Sequence, residues 1–332
     1  MSTKPGSMGQ RVSRREFVGL GLGAFVAASI PLSRRQPAGV VQRTIPVMGT
    51  IARFAVVHRD AARAQVAIDA AIDELLHVER MMTRFTDTSD IGRANLFAAV
   101  DAVPVAPETA LVTAESLRWA DVLDGRYDPA MGAVIRLWNV KDRHEPPGDE
   151  PIAELADRRF HRMVEVGASG GRPVLRFHGE GARLDLGSIA KGFGVDQAVA
   201  TLRRHGIENA LVVAGGDLYA LGSAPDGEPW SIGIQSPEDE RELIGTLRLE
   251  NRAVATSGTY RQFFRHRGHR YHHIMDPATA RPRETAMQSL TIVADSVMQA
   301  DAATTALFGL GEADIQRQLA RHLPGAKLAW MV

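Results

Sequence analysis

The sequence predicts an α+β fold, with helices set among strands but no regular βαβ alternation. Three observations carry that reading. Two long amphipathic helical patterns lie in the first half of the chain. Short strand-like segments crowd the second half, and a strongly helical segment follows them. The composition is that of a globular enzyme: 332 residues, 45% hydrophobic and 23% charged, enough for one large domain or two intertwined subdomains.

Ser13-Arg14-Arg15-Glu16-Phe17 precedes an apolar run from Val18 to Ile30 that is rich in glycine and alanine. Paired arginines before a mildly apolar run form the twin-arginine export pattern. Residues 1–30 are therefore expected to be a signal peptide, giving a periplasmic or otherwise exported protein. The run falls short of the ~20 residues that a comfortable membrane span needs. Cleavage near Ala27-Ala28-Ser29 and retention as an uncleaved membrane anchor both stay open, and a basic tail with a short amphipathic stretch is the plainer alternative. Residues 31–43, with Pro31, Pro37, Arg34, Arg35 and Arg43, read as a linker. Residues 44–332 read as the folded domain.

Thr50–Val57 reads as a strand. Asp60–Met82 reads as an amphipathic helix, because Ala64, Ile68, Ile72, Leu75 and Met82 recur at helical spacing. Pro107–Leu123 reads as a second helix, with proline in its first turn and Gly125 beyond its end. The charged, proline-bearing residues 141–160 read as a surface connection. Arg162–Val166 and Pro173–Phe177 read as paired strands around a glycine turn. A helix over Ser188–His205 stops at Gly206. Strands are then expected at Ala210–Val213, Leu218–Leu221, Trp230–Gln235, Leu243–Leu249, Ala253–Thr256 and Leu290–Val293. A last helix spans Asp295–Phe308.

Lys plus Arg and Asp plus Glu both number 39, so the formal net charge is zero. Nothing in that balance suggests nucleic acid as a partner. The absence of cysteine excludes disulfides, thiolate metal sites, cysteine nucleophiles and a lipoprotein anchor.

Five constellations carry candidate chemistry. Asp301 and Thr305 lie four apart on one helix face, where carboxylate and hydroxyl oxygens can reach a hard cation such as magnesium. An Asp beside the helix dipole and a back-bonding Thr are the plainer alternative. In Asp185-Leu186-Gly187-Ser188-Ile189-Ala190-Lys191-Gly192, a strand runs through glycine into a helix start that offers amides to an anion. Lys191 adds a compact charge suited to phosphate, and Asp185 suits a base, a ribose hydroxyl or a metal. Gly215-Gly216-Asp217 reads either as a close ligand approach or as a plain tight turn. Thr256-Ser257-Gly258 precedes a histidine-rich stretch holding His266, His269, His272 and His273. Strand alternation sends His272 and His273 to opposite faces, which argues against their sharing a zinc ion. One of them beside a cleft would make a proton acceptor. Arg126-Tyr127-Asp128-Pro129, followed by Trp138, reads as a ring-orienting turn or as core aromatics.

The order of these segments, from Val47-Met48-Gly49-Thr50 and Met82-Thr83-Arg84-Phe85 to His273-Ile274-Met275-Asp276-Pro277 and Ala300-Asp301, resembles the ApbE family of FAD:protein FMN transferases over about residues 44–325. The resemblance implies mixed and antiparallel sheets with helices, and an FAD cleft between two subdomains. It implies flavin contacts from Met48, Phe85, Arg126, Tyr127, Asp128, Asp185, Lys191 and Ile274. It also implies a magnesium ion held by Asp301, Thr305 and an oxygen of Ser188, its backbone carbonyl being the expected donor. His273 is the implied catalytic base, with Lys191 assisting. The implied acceptor is a Ser or Thr hydroxyl of a redox protein, membrane redox subunits being the family's usual clients. A magnesium-dependent FAD pyrophosphatase and a non-catalytic flavin carrier remain alternatives. Three departures stand out: Ala280 where glycine is usual, Phe85 where tyrosine is common, and Thr259 for a frequent aspartate.

Overall fold

The computed structural model describes residues 26–28, 39–239 and 241–332. Arg14-Arg15 and most of the expected leader and linker lie outside these residues. Three residues of the apolar run form strand β1 (Val26–Ala28), which pairs with a strand far along the chain.

The folded region opens on a hairpin of β2 (Val40–Val47) and β3 (Thr50–Val57). The expected linker of residues 31–43 is therefore corrected, because Val40 already belongs to the sheet. Arg43 lies in an edge strand, where an exposed arginine belongs, and it pairs with Asp69 at 3.5 Å. Met48-Gly49 makes the two-residue turn, both at positive φ (52° and 68°), as tight hairpin turns require.

Helix α1 (Ala61–Met82) is capped by Asp60, whose side chain accepts from the Arg63 amide. After it come α2 (Asp90–Phe97), β4 (Val103–Pro104), α3 (Pro107–Val122) and α4 (Gly132–Trp138). Residues 141–160 are more ordered than a plain connection: α5 (Asp149–Leu155) starts there, with Asp149 and Glu150 complementing its dipole. A 3-10 turn (Phe160–Met163) leads into β5 (Val164–Ser169) and β6 (Arg172–Phe177). Helix α6 (Ala190–Arg204) begins two residues later than expected, which leaves Ser188 in the turn before it.

The late strands are β7 (Asn209–Ala214), β8 (Asp217–Leu221), β9 (Trp230–Gln235), β10 (Leu243–Leu249) and β11 (Arg252–Gly258). They are followed by β12 (Phe263–His266), β13 (His269–His272), β14 (Met275–Asp276), β15 (Arg281–Pro282) and β16 (Ser289–Ala294). Helix α7 (Val297–Ala306), α8 (Glu312–His322) and β17 (Lys327–Met331) complete the chain.

Seven strands form the main antiparallel sheet, in the order β17-β16-β11-β8-β7-β3-β2. Alternation along β7 shows how it is covered. Ala210, Val212 and Ala214 pack with α1 and α6 residues such as Leu75 and Val195, whereas Leu211 and Val213 pack with Trp230 and Ile232 of β9. Both faces are buried, so β7 reads as a continuous apolar run. A separate, larger apolar cluster joins α3, α4, α7 and the β5–β6 region.

An aromatic stack ties that second cluster to the β12–β13 hairpin. Trp138 stacks on Tyr271 at 5.6 Å, and Tyr271 on Phe264 at 5.1 Å. The fully buried Trp138 indole donates to the Ala280 carbonyl at 2.7 Å. Ala280 holds φ 51°, so the loop keeps the left-handed turn that a glycine would adopt there. Trp138→Phe leaves that carbonyl without its donor. The expected cost is about 1–3 kcal/mol, read as a lower urea midpoint at unchanged slope.

Candidate active site

The site forms where α6 crosses α7. A Cβ on Gly192 would lie 2.5 Å from the Val297 carbonyl oxygen, so only glycine allows this approach. One turn on, Asp196 accepts from the amides of Val297 and Met298, both at 2.9 Å, and from the Ser296 hydroxyl at 2.7 Å. Burial raises the Asp196 carboxyl above its ordinary value, against the pull of these donors.

The crossing brings Lys191 against Asp301. Lys191 Nζ donates to Asp301 Oδ2 at 2.9 Å and Oδ1 at 3.2 Å, and to the Gly187 carbonyl at 3.1 Å. The Gly192 amide donates to Asp301 Oδ2 at 3.2 Å. A second carboxylate, Asp217, lies 3.1 Å from the same ammonium. That contact is an ion pair, and the Thr256 backbone amide also acts on the Asp217 carboxylate. Asp217 and Asp301 are only 2% and 3% exposed.

Two buried carboxylates thus share one ammonium. Burial pulls the Lys191 pKa down, but Asp217 and Asp301 together lift it above the ordinary lysine value. Asp217 rises well above the carboxylate range through burial and the charge of Asp301, with Lys191 offsetting only part. Beside them the Thr305 hydroxyl lies 3.1 Å from Ser257 Oγ. The Asp301 carboxylate and the Thr305 hydroxyl, in a pocket with excess negative charge, fit a hard divalent cation. Among the described residues no three His, Asp or Glu side chains converge as a self-sufficient metal cluster, so such a cation would also need hydroxyl, carbonyl or substrate oxygens.

Ser188 is tied in from the other side. Its hydroxyl lies 2.6 Å from the Tyr127 phenol, which lies 2.9 Å from Ser116 Oγ. Burial pushes the Tyr127 phenol up to about 12. Tyr127 is therefore fixed by this chain and braces Ser188 rather than sandwiching a ring. Asp185 accepts from the Gly187 amide at 2.9 Å and pairs with Arg84 Nε at 2.6 Å. The Arg84 guanidinium also covers the Phe85 ring at 4.3 Å. Phe85 is 79% exposed, an unusual position for a phenylalanine and one that suits stacking on a planar ligand.

The other expected flavin contacts have protein partners of their own. The Asp128 side chain faces inward, because its oxygens accept from Ala130 N, His161 N and His161 Nδ1. Arg126 points its guanidinium at the Phe308 carbonyl, 3.1 Å away, just beyond α7. Arg283 donates to the same oxygen at 2.8 Å, so both arginines neutralise the helix's negative end. Ile274 is buried in the larger cluster, its amide bonded to His272 Nδ1. Met48 sits in the β2–β3 turn with its amide on Glu79, and its methyl would lie 3.1 Å from a Cβ on Gly194 of α6.

The two adjacent histidines diverge. His272 is buried; its Nε2 donates to the Arg283 carbonyl and its Nδ1 accepts from Ile274 N. Desolvation lowers its pKa to about 4, so it is a neutral structural residue. His273 is half-exposed. Its Nδ1 donates to the Gln262 carbonyl at 3.3 Å, which fixes the tautomer and leaves Nε2 as acceptor. Desolvation lowers its pKa, and the charges of Lys191 and Asp185 act on it in opposite senses. His273, Lys191 and Asp185 therefore share one electrostatic neighbourhood.

The positions of Asp217, Ser257 and Arg84 were visible as motif members, but their roles depend on pairings distant in sequence. This geometry is that of a phosphate-handling transfer site, with an ammonium, buried carboxylates, a helix start and a neutral imidazole. The chain matches the ApbE family over residues 48–330 and belongs to that family. It is 34% identical over 293 residues to an FAD:protein FMN transferase of Treponema pallidum, covering 84% of this chain and 81% of the relative. Identity to the Vibrio cholerae FAD:protein FMN transferase is 33% over 282 residues, with 83% of each covered. Among solved structures, the ApbE protein of Thermotoga maritima superposes with a TM-score of 0.78 at 28% identity, covering 87% of this chain and 93% of that one. The flavin transferase ApbE of Vibrio cholerae gives 0.72 at 29% identity, covering 85% and 91%.

Lys191→Met leaves Asp217 and Asp301 buried without their cation. We expect a loss of about 3–5 kcal/mol, measured by urea unfolding of the metal-free protein.

Proposed function

We propose that this chain transfers FMN from FAD to a Ser or Thr hydroxyl of an acceptor flavoprotein and releases AMP. The observation that carries the reading is the convergence of Lys191, Asp301 and the Gly187–Gly192 helix start with a neutral, tautomer-fixed His273. The activity printed for relatives at 33–34% identity supports it.

Each residue has a definable task. The Phe85 ring stacks on the flavin, and the Met48 turn bounds its site. Lys191 holds the diphosphate and counters the charge that gathers during transfer. A magnesium ion held by Asp301, Thr305 and the Ser188 carbonyl would supply Lewis-acid neutralisation of the diphosphate. His273 Nε2 accepts the proton of the acceptor hydroxyl. The freed oxygen bonds to the phosphorus on the riboflavin side, the bond to the bridging oxygen breaks, and AMP departs with that oxygen. Most of the acceleration comes from position and electrostatics.

Water in place of the acceptor would give FMN and AMP by the same steps, which is the pyrophosphatase reading. The paired arginines and the apolar run support export to the periplasm, where a membrane redox subunit is the proposed acceptor class.

Incubation with FAD, Mg2+ and a flavoprotein acceptor should add one FMN to the acceptor by mass spectrometry. Free FMN without adduct would establish hydrolysis instead. Asp301→Ala should abolish both, and undiminished flavin delivery by that variant would leave only a carrier.

His273 must be neutral to act, and its pKa is lowered. The acid limb of kcat/KM should therefore fall below the ordinary histidine value of about 6.5, with a flat profile through neutrality. His273→Ala should lose about 100- to 10,000-fold in turnover and this limb with it, while still binding FAD.

A further inference from the structure

Asp217 plays no part in the mechanism above, yet it is buried within ion-pair distance of Lys191. It opens β8, directly after Gly215 and Gly216, both at positive φ (67° and 138°). A Cβ on Gly215 would lie 2.9 Å from Thr50 Oγ1, so this turn is built from glycine to aim the next residue. The aim is inward: Asp217 is 2% exposed, and among the described residues the cation paired with its carboxylate is the Lys191 ammonium at 3.1 Å.

Lys191 bonds better to Asp301, at 2.9 and 3.2 Å. The same Asp301 oxygens are the ones a divalent ion would need. A cation and an ammonium cannot both be served by one carboxylate at close range without mutual repulsion. A second carboxylate within reach of Nζ resolves the conflict.

We propose that Asp217 is a positioning residue: it keeps the Lys191 ammonium when a divalent cation takes over Asp301. The inference rests on the magnesium reading of the site. In the metal-free state Lys191 bridges both carboxylates. In the loaded state it turns wholly to Asp217, stays charged, and remains beside the diphosphate. Asp217 acts through Lys191 and touches neither substrate nor metal.

The test reads the state of the Lys191 amine in the absence of FAD. Metal-free protein is treated with acetic anhydride, with and without Mg2+, and acetylation of Lys191 is followed by peptide mass spectrometry. Calorimetry of Mg2+ binding runs alongside. In the wild-type protein Lys191 should stay protected in both conditions. In Asp217→Asn it should be protected without Mg2+ and acetylate at least tenfold faster with it. Asp217→Glu, which keeps the carboxylate, should restore protection.

Exposure of wild-type Lys191 on adding Mg2+ would make Asp217 a metal ligand and overturn the inference. So would equal labelling of Asp217→Asn with and without Mg2+, the mark of a merely structural role. The wild-type arm needs no substitution, so exposure of Lys191 there overturns the inference even if Asp217→Asn does not fold, and Asp217→Glu then supplies the variant arm. Absence of Mg2+ binding by the wild-type protein would overturn the metal reading itself, and this inference with it. Binding with the wrong labelling pattern overturns the inference alone.

Discussion

The close crossing of α6 and α7 at Gly192 is the constraint on which the site depends. No side chain fits between Gly192 and the Val297 carbonyl, and Asp196 then caps the start of α7 from the flank of α6. These two contacts set the register of one helix on the other. Lys191, adjacent to the glycine, and Asp301, one turn into α7, are brought together as a consequence. The active-site ion pair is thus a product of backbone packing, and the energy that orients it comes from the surrounding apolar clusters.

Such an ion pair is not an efficient way to stabilise a fold. Removing two carboxylates and an ammonium from water costs more than a well-packed apolar trio would. The imbalance of charge makes the cost larger, since Asp217 is driven above the carboxylate range by burial and by Asp301. An arrangement that is poor for stability alone is well suited to receive a cation and a polyanion together. Local frustration of this kind gathers at functional sites.

Much of this was legible in the chain itself. The strands Thr50–Val57 and Trp230–Gln235 and the long helix ending at Met82 follow the patterns that predict them, because each buries a simple stripe or face. Helix α8 was missed although Ile315 and Leu319 mark its buried stripe; it is short and mostly polar. The linker was drawn too long because an edge strand tolerates the polar residues of a loop. Within the site, Asp301, Lys191 and His273 could be found because each sits in a motif. The inward turn of Asp128 could not, because His161 supplies its partner from 33 residues away. The role of Asp217 was hidden for the same reason: a Gly-Gly-Asp turn looks alike whether its carboxylate meets water or a buried lysine.

The two histidines show how neighbouring residues acquire opposite tasks. They share a backbone segment and differ in which side of it they face. His272 faces inward and uses both ring nitrogens, so it cannot exchange a proton without breaking a buried bond. That bond ties β13 to the Arg283 segment, while the Trp138–Tyr271–Phe264 stack holds the hairpin at the neighbouring residue pair. His273 inherits the rigidity without its cost. With the hairpin fixed, the Gln262 carbonyl meets Nδ1 and leaves Nε2 as the acceptor. A base positioned in this way needs no rearrangement to take a proton, which is the condition for efficient transfer in a site that works by placement. The inert histidine is what gives the proposed base its direction.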